Sequence, residues 1–235
     1  MSIFLVGGGT VPAAESEFLA EVRLVAEERA ELAGADRDSV TPVLWAIGAS
    51  GKTEAAQAGL LSRATAAGIR VVDASAAEVA TGTVHGVLLG APTRAAALDA
   101  THADAERIRE LVGGGAPYFG LGAGATIAGD VCIASGGEIG GVPVGPAGTT
   151  GEVNASAGLG LVDLCLEADP IASGTLPRLI AVTEAGMVPQ SLAIDAATAL
   201  IIGPGALRVT GSGSVWQVSA AERGVTVATI AADEG

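Results

Sequence analysis

Short apolar runs alternate with longer amphipathic segments along the first half of the chain. Ile3–Val6 is apolar throughout and closes on three glycines, and the segment after it repeats Phe18, Val22 and Val25 at helical spacing. The same alternation recurs, with strands predicted at "PVLWAIGAS", "RVVDAS", "HGVLLG" and "YFGLG" and amphipathic helices between most of them. Strands without polar positions are typical of a sheet that is covered on both faces. The pattern therefore predicts an α/β fold with a mainly parallel sheet and helices on both faces.

The last third of the chain has a different pattern. "PRLIAVTEAG" predicts a helix, and "SLAIDAATALIIGPGALRVTGSGSVWQVSA" predicts short alternating strands with Gly and Pro turns. We expect these strands to be antiparallel and to extend the same sheet at one edge. No linker or repeat interrupts the pattern, so residues 1–235 are predicted to form a single domain.

Composition excludes several functional classes. Hydrophobic residues make up 49% of the chain and charged residues 16%, which argues against disorder. The net charge of −14, with Lys52 as the only lysine, argues against nucleic-acid binding. The apolar runs are too short to span a membrane, and the first residues lack the basic start of a signal peptide, so a cytoplasmic location is expected. Cys132 and Cys165 lie in apolar segments and are predicted to be buried thiols.

Two glycine-rich turns follow predicted strands, and the first resembles a phosphate-binding loop. In Ala46–Thr53, "AIGASGKT", Lys52 would contact phosphates and Thr53 would bind a magnesium ion. Alanine at the first position weighs against this interpretation, as does the absence of a later strand that ends in a metal-binding aspartate. Nucleotide binding at this loop stays open as an alternative function.

The second turn is Gly120–Ala125, "GLGAGA". A nucleophile elbow needs small residues on both sides of the nucleophile, because strand and helix approach closely there. The backbone N–H groups after the nucleophile can then stabilise an oxyanion. Here the middle position is Gly122, which has no side chain that could attack a substrate.

This turn and several other segments, in the same order, resemble one family. They are "FLVGGG", "GLGLV", "PRLI", "AIDAATAL" and "VTGSGSVW". On these segments the chain resembles the cyanophycinase and dipeptidase E family of serine peptidases, whose elbow reads Gly-x-Ser-Ala-Gly-Ala. The resemblance implies a class I glutamine-amidotransferase-like α/β fold that runs almost from end to end.

The resemblance also implies that the catalytic positions have changed. Gly122 occupies the nucleophile position and Asp169 the position of the base histidine, while Glu138 matches the family's acidic residue. The oxyanion-side glycine pair becomes Gly90-Ala91 and is followed by Pro92, which has no N–H. The chain is therefore interpreted as a degenerate, catalytically silent member. An acidic cleft is predicted to bind a small peptide-like or amino-acid ligand through Gly90, Ala91, Gly122, Ala123, Glu138 and Asp169.

An active hydrolase with a relocated nucleophile is the main alternative. Its base would have to be Asp169 or Glu138, because His85 is expected at the opposite end of the sheet and His102 at a helix cap or on the surface. The possible nucleophiles are Thr126, Ser135, Thr149, Thr150 and Cys132. No side chains have metal-ligand spacing, and no cofactor is expected. Homodimer formation and pairing with an active paralogue are both left open.

Overall fold

The structure is a computed structural model that describes residues 1–48, 54–73, 83–205 and 207–232. Its strands are β1 (Ile3–Val6), β2 (Val43–Ile47), β3 (Arg70–Asp73), β4 (Gly86–Ala91), β5 (Tyr118–Gly122), β6 (Gly129–Ser135), β7 (Glu138–Ile139), β8 (Val142–Pro143), β9 (Asn154–Ala157), β10 (Val162–Ala168), β11 (Gln190–Ile194), β12 (Thr198–Ile202), β13 (Arg208–Gly211), β14 (Ser214–Ala220) and β15 (Val225–Ala231). Its helices are α1 (Pro12–Leu32), α2 (Glu54–Ala66), α3 (Arg94–Thr101), α4 (Ala105–Gly113), α5 (Ala123–Thr126) and α6 (Leu176–Glu184), with a 3₁₀ turn at Arg37–Ser39.

A seven-stranded sheet has the order β13-β12-β1-β5-β4-β2-β3. The five strands from β1 to β3 in this order are parallel to one another, which confirms the mainly parallel sheet. β5 is the central strand, as the apolar run "YFGLG" predicts. β12 and β13 extend the sheet antiparallel beside β1, so part of the predicted edge extension is present.

The other C-terminal strands belong to a second sheet, and the prediction that all of them extend the first sheet is wrong. The second sheet has six strands in the order β15-β14-β11-β10-β6-β9. β11 joins it by pairing in parallel with β10, and α6 connects these two strands. Short alternating strands have the same sequence pattern whichever sheet they join, so the pattern alone does not assign them. A short hairpin of β7 and β8 stands apart from both sheets.

Alternating residues of the central strands pack on opposite faces of the first sheet. Phe4 and Phe119 belong to one apolar cluster with Phe18 of α1 and Leu60 of α2. Tyr118 belongs to the cluster on the other face, which contains residues of α3 and α4 and of both sheets. Helices therefore cover both faces of the first sheet, and one apolar core continues into the second sheet.

None of the helices in the described ranges is both long and apolar enough to cross a membrane.

Candidate functional site

The turn between β5 and α5 has the strained backbone of a nucleophile elbow. Gly122 ends β5 with φ 56° and ψ −111°, and α5 begins at the next residue. Residues that carry a side chain rarely adopt these backbone angles. In folded proteins such angles occur mainly where surrounding contacts enforce them. Glycine adopts them without steric cost. The predicted sharp turn from strand to helix is thus present at Gly122.

Close packing around this turn explains the neighbouring glycines. A Cβ atom added at Gly124 would lie 2.1 Å from the carbonyl oxygen of Leu89 in β4, and one added at Gly120 would lie 2.7 Å from the Gly124 carbonyl oxygen. Both distances are too short for any side chain. The small residues on either side of Gly122 are required because α5 lies directly against β4 and β5.

A cavity of about 590 Å³ opens at the carboxyl ends of β1, β4, β5 and β10. This is the edge where parallel sheets bind ligands. The glycines after β1, the start of α3 and the turn at Gly122 contribute to its wall. The lining residues are Gly7, Gly8, Gly9, Ala91, Pro92, Thr93, Arg94, Ala95, Gly122, Ala123, Thr126, Ala134, Glu167, Ala168, Asp169, Ala172, Ser173 and Ala196.

Four of the six predicted ligand-binding residues line this cavity, namely Ala91, Gly122, Ala123 and Asp169. Gly90 is not among the described lining residues, because its open side faces α2: an added Cβ would lie 2.6 Å from the side-chain oxygen of Gln57.

Glu138 is not among the described lining residues either. It begins the separate β7–β8 hairpin, and its carboxylate accepts the backbone N–H of Gly151 at 3.4 Å. The cavity also contains Arg94. Glu138 and Asp169 are therefore not brought together in the described wall of the cavity. The hairpin that carries Glu138 is anchored by local backbone contacts, and the sequence does not indicate where such a hairpin lies.

Asp169 is held in the cavity by its backbone. It has φ 50°, and positive φ is uncommon outside glycine. Its N–H donates to the carbonyl of Ile194 at 2.8 Å, and its own carbonyl accepts the backbone N–H and the hydroxyl of Ser173. Within the described ranges, the half-buried carboxylate of Asp169 has neither a hydrogen-bond donor nor an ion-pair partner. The side chain is thus available to a ligand.

A second carboxylate in the wall, Glu167, was not predicted as a site residue. It is 1% exposed and forms ion pairs with Arg94 and, at 3.5 Å, with Arg178. Arg94 also donates to the carbonyl of Ile133 at 3.1 Å, and Arg178 to that of Gly136 at 3.0 Å. Burial and the nearby Arg94 lower the pKa of Arg178, and the Glu167 carboxylate opposes this shift. This cluster ties the starts of α3 and α6 to β10 behind the cavity.

Among the possible relocated nucleophiles, Thr126 alone lines the described cavity. Its hydroxyl is buried and donates to the Gly122 carbonyl at 3.3 Å. Cys132 is buried next to the hydroxyl of Ser156, and Ser135 is exposed at the end of β6. Thr149 and Thr150 lie in the loop before β9 and are likewise missing from the described cavity wall.

Neither histidine lies in this cavity. His85 directly precedes β4, and its Nδ1 accepts the Val43 N–H at 3.0 Å, so it is at the opposite end of the sheet as predicted. His102 is exposed at the end of α3. Thr126 thus has no imidazole base among the described residues around it.

Most of the predicted phosphate-binding loop lies outside the described residues. Residues 49–53, which include Lys52 and Thr53, are not described, so nucleotide binding at Ala46–Thr53 stays a prediction. In the described ranges, no group of three His, Cys, Asp or Glu side chains could hold a metal ion.

Comparison with solved structures identifies the fold. The chain matches a peptidase from an acI-B1 Actinobacterium with a TM-score of 0.59 and 14% sequence identity, over 99% of this chain and 95% of that chain. A protein described as a candidate peptidase E from Listeria monocytogenes EGD-e has a TM-score of 0.46 and 15% identity, over 89% of this chain and 98% of the other. No family model matches the sequence, and no curated protein matches it. At this level of identity, the first comparison establishes a fold shared with a peptidase.

Proposed function

We propose that this chain is a ligand-binding protein built on a peptidase fold, and that it does not cleave peptides by a serine mechanism. The observation that carries the proposal is Gly122, which has the backbone of a nucleophile elbow and no side chain. Acyl transfer needs a nucleophile, a base and oxyanion donors in one place. The first of these is missing at the position where the fold would present it.

The base is missing as well. Asp169 stands at the position that the resemblance gives to the base histidine, and it lines the same cavity as Gly122. A carboxylate is a much weaker base than imidazole near neutral pH, and it does not efficiently return a proton to a leaving amine. Pro92 contributes no N–H at the oxyanion side of the cavity. These three positions together support binding without turnover.

The cavity favours a ligand that carries a protonated amine. The Asp169 carboxylate is partly buried and unpaired within the described ranges, whereas Glu167 is already paired with two arginines. A partly buried carboxylate is stabilised by a cation that also donates hydrogen bonds. An amino acid or the amino end of a short peptide supplies such a group, and a cavity of about 590 Å³ accommodates either.

A binding experiment tests the ligand class. Amino acids and dipeptides would be titrated by calorimetry, each next to its N-acetylated form, which lacks the ammonium charge. We expect binding of the free amines only, and loss of that binding in Asp169→Asn. Asparagine tolerates positive φ, so this variant retains the backbone. Asp163→Asn is the matched control, because Asp163 is exposed on β10, the strand that Asp169 directly follows. Equal binding of acetylated ligands would contradict the role of Asp169.

A hydrolysis experiment tests the absence of turnover. Aspartyl dipeptides and cyanophycin-like polymers would be incubated with the unmodified protein, and released amines would be measured. We expect no turnover above the uncatalysed rate. Clear turnover that is abolished by Thr126→Val would overturn the proposal and identify a relocated nucleophile, since valine has the shape of threonine without the hydroxyl.

A further inference from the structure

A second cavity, of about 400 Å³, lies at the amino ends of β2 and β4. This is the end of the sheet opposite to Gly122. Its wall is formed by the last turns of α1, by Ala35 and residues 39–41, and by residues at the starts of the strands. The described part of this wall contains Arg29, Arg70 and His85 and no aspartate or glutamate. In a chain with 26 acidic and 12 basic residues, two arginines without a carboxylate among the described lining residues are unexpected.

Sheet register places these groups side by side. Val43 pairs in parallel with Arg70, and on its other side its carbonyl accepts the His85 N–H at 2.8 Å. Neighbours across adjacent strands point to the same face of a sheet. The side chains of Arg70, Val43 and His85 therefore lie on the same face of the sheet, and all three residues line the cavity.

Arg29 reaches the same cavity wall from the last turn of α1. Its guanidinium donates to the carbonyl of Val84 at 2.6 Å and to that of Gly114 at 3.3 Å. A guanidinium has five N–H donors, so further donors remain after these two bonds. Burial lowers the pKa of Arg29, which means that its charge is poorly solvated where it lies.

His85 adds a third donor. Its Nδ1 accepts the Val43 N–H, and we therefore assign the proton of the neutral ring to Nε2. Burial, with Arg29 and Arg70 nearby, lowers the pKa of His85 to about 4, so the neutral form prevails at neutral pH. Nε2 is thus an N–H donor on a side chain that is 6% exposed.

We propose that this cavity binds a small anion through a carboxylate or phosphate group held by Arg29, Arg70 and His85. Oxyanions with several acceptor atoms suit a wall that carries two guanidinium groups and an imidazole donor, and a nearby anion would stabilise the partly buried charge of Arg29. The cavity volume is within the range of small-molecule sites. The site is separate from the Gly122 cavity, so its test is independent of the peptidase-fold proposal.

Titration of the intact protein tests this site. Inorganic phosphate and succinate would be titrated at pH 7.5, with sodium chloride at matched ionic strength as the reference. We expect saturable binding of at least one of them, and the preference distinguishes a phosphate from a carboxylate ligand. Arg70→Gln should weaken binding about tenfold or more, because it removes a charged hydrogen-bond donor. Arg70 is exposed at the start of an edge strand, so the variant should fold.

Arg223→Gln is the matched control, since Arg223 is exposed before β15 and the net charge changes equally. Its affinity for the anion should be unchanged. Magnetic resonance gives a second readout, because the chain has only two histidines. The anion should shift the ring signals of His85 and leave those of His102 in place. No saturable binding at millimolar concentrations, or an equal loss in both arginine variants, would overturn the proposal.

Discussion

The hydroxyl of Tyr118 donates a hydrogen bond to the carbonyl of Gly124, 2.8 Å away. The two residues lie on either side of Gly122, one at the start of β5 and the other in α5. Burial raises the pKa of Tyr118, so its phenol stays protonated and remains a donor. This bond connects the strand and the helix that the strained turn joins.

Removal of that hydroxyl should weaken the turn. We expect Tyr118→Phe to lower the free energy of unfolding by about 1 kcal/mol, the usual net contribution of one buried hydrogen bond. Urea unfolding measures the change. Ligand affinity at the Gly122 cavity should fall as well, because α5 loses one of the bonds that hold it against β5. An unchanged unfolding midpoint would show that the bond contributes nothing to stability.

Gly124→Ala should be far more damaging than an alanine elsewhere. The added Cβ would meet the backbone of Leu89 at 2.1 Å, and overpacking of this kind costs about 1–3 kcal/mol or more. Gly113→Ala is the control, because a Cβ there would have no neighbour within 4 Å. That variant should be neutral or up to about 1 kcal/mol more stable, since alanine has less freedom in the unfolded chain. Thermal unfolding of both variants gives the comparison, and equal melting temperatures would contradict it.

Glu167→Gln should destabilise the whole protein. The change leaves Arg94 and Arg178 without their shared counter-charge, and breaking a buried ion pair from one side costs about 3–5 kcal/mol. Urea unfolding should show this loss. Glu110→Gln, at an exposed position of α4, should stay within about 0.5 kcal/mol. A similar small effect in both variants would mean that the arginines find other partners.

Acid should destabilise the protein partly through His85. Its pKa is lowered to about 4 in the folded state, from an ordinary value of 6.5. Between these values the unfolded chain binds a proton that the folded protein does not, so stability falls as the pH drops from 6.5 toward 4. His85→Asn retains a hydrogen-bond acceptor for Val43 and does not titrate, so it should flatten this part of the profile.

The exposed histidine provides the control for this pH profile. His102→Asn should leave the dependence of the urea midpoint on pH unchanged between pH 7.5 and 4.5. A profile that is equally steep in His85→Asn and the unmodified protein would assign the acid sensitivity to other groups.

Gly122→Ser should not create a peptidase. The serine would have φ 56°, at a cost of about 1–3 kcal/mol in stability, and no imidazole base would face it. Release of amines from aspartyl dipeptides should therefore stay at background. The double variant Gly122→Ser with Asp169→His should recover a trace at most. Efficient turnover by the single variant would show that a base already operates in the cavity.

The parts of the fold that the sequence predicts are those with strong local patterns. "VLWAI" and "YFGLG" are apolar on both faces because helices cover both sides of the sheet, and this signal is local. The turn at Gly122 is also local, since its glycines reflect contacts at 2–3 Å with adjacent backbone.

The remaining parts depend on long-range contacts. Glu167 meets Arg94 across 73 residues of chain, and nothing in the segment around either residue indicates the other. The resemblance predicts Glu138 in the cleft, whereas its carboxylate accepts the backbone N–H of Gly151 in the hairpin region. The positive φ of Asp169 arises from its bonds to Ile194 and Ser173, which no short motif encodes.

The position of β1 determines the order in which this protein can fold during synthesis. β1 lies between β5 and β12, so Ile3 pairs with both Tyr118 and Ile202. A ribosome supplies β5 well before β12, because six strands and two helices lie between them in the sequence. Until then one edge of β1 is an unpaired apolar strand, which is prone to join other chains. Chains truncated before Thr198 should therefore aggregate, because β1 is synthesised long before the β12 strand that covers this edge.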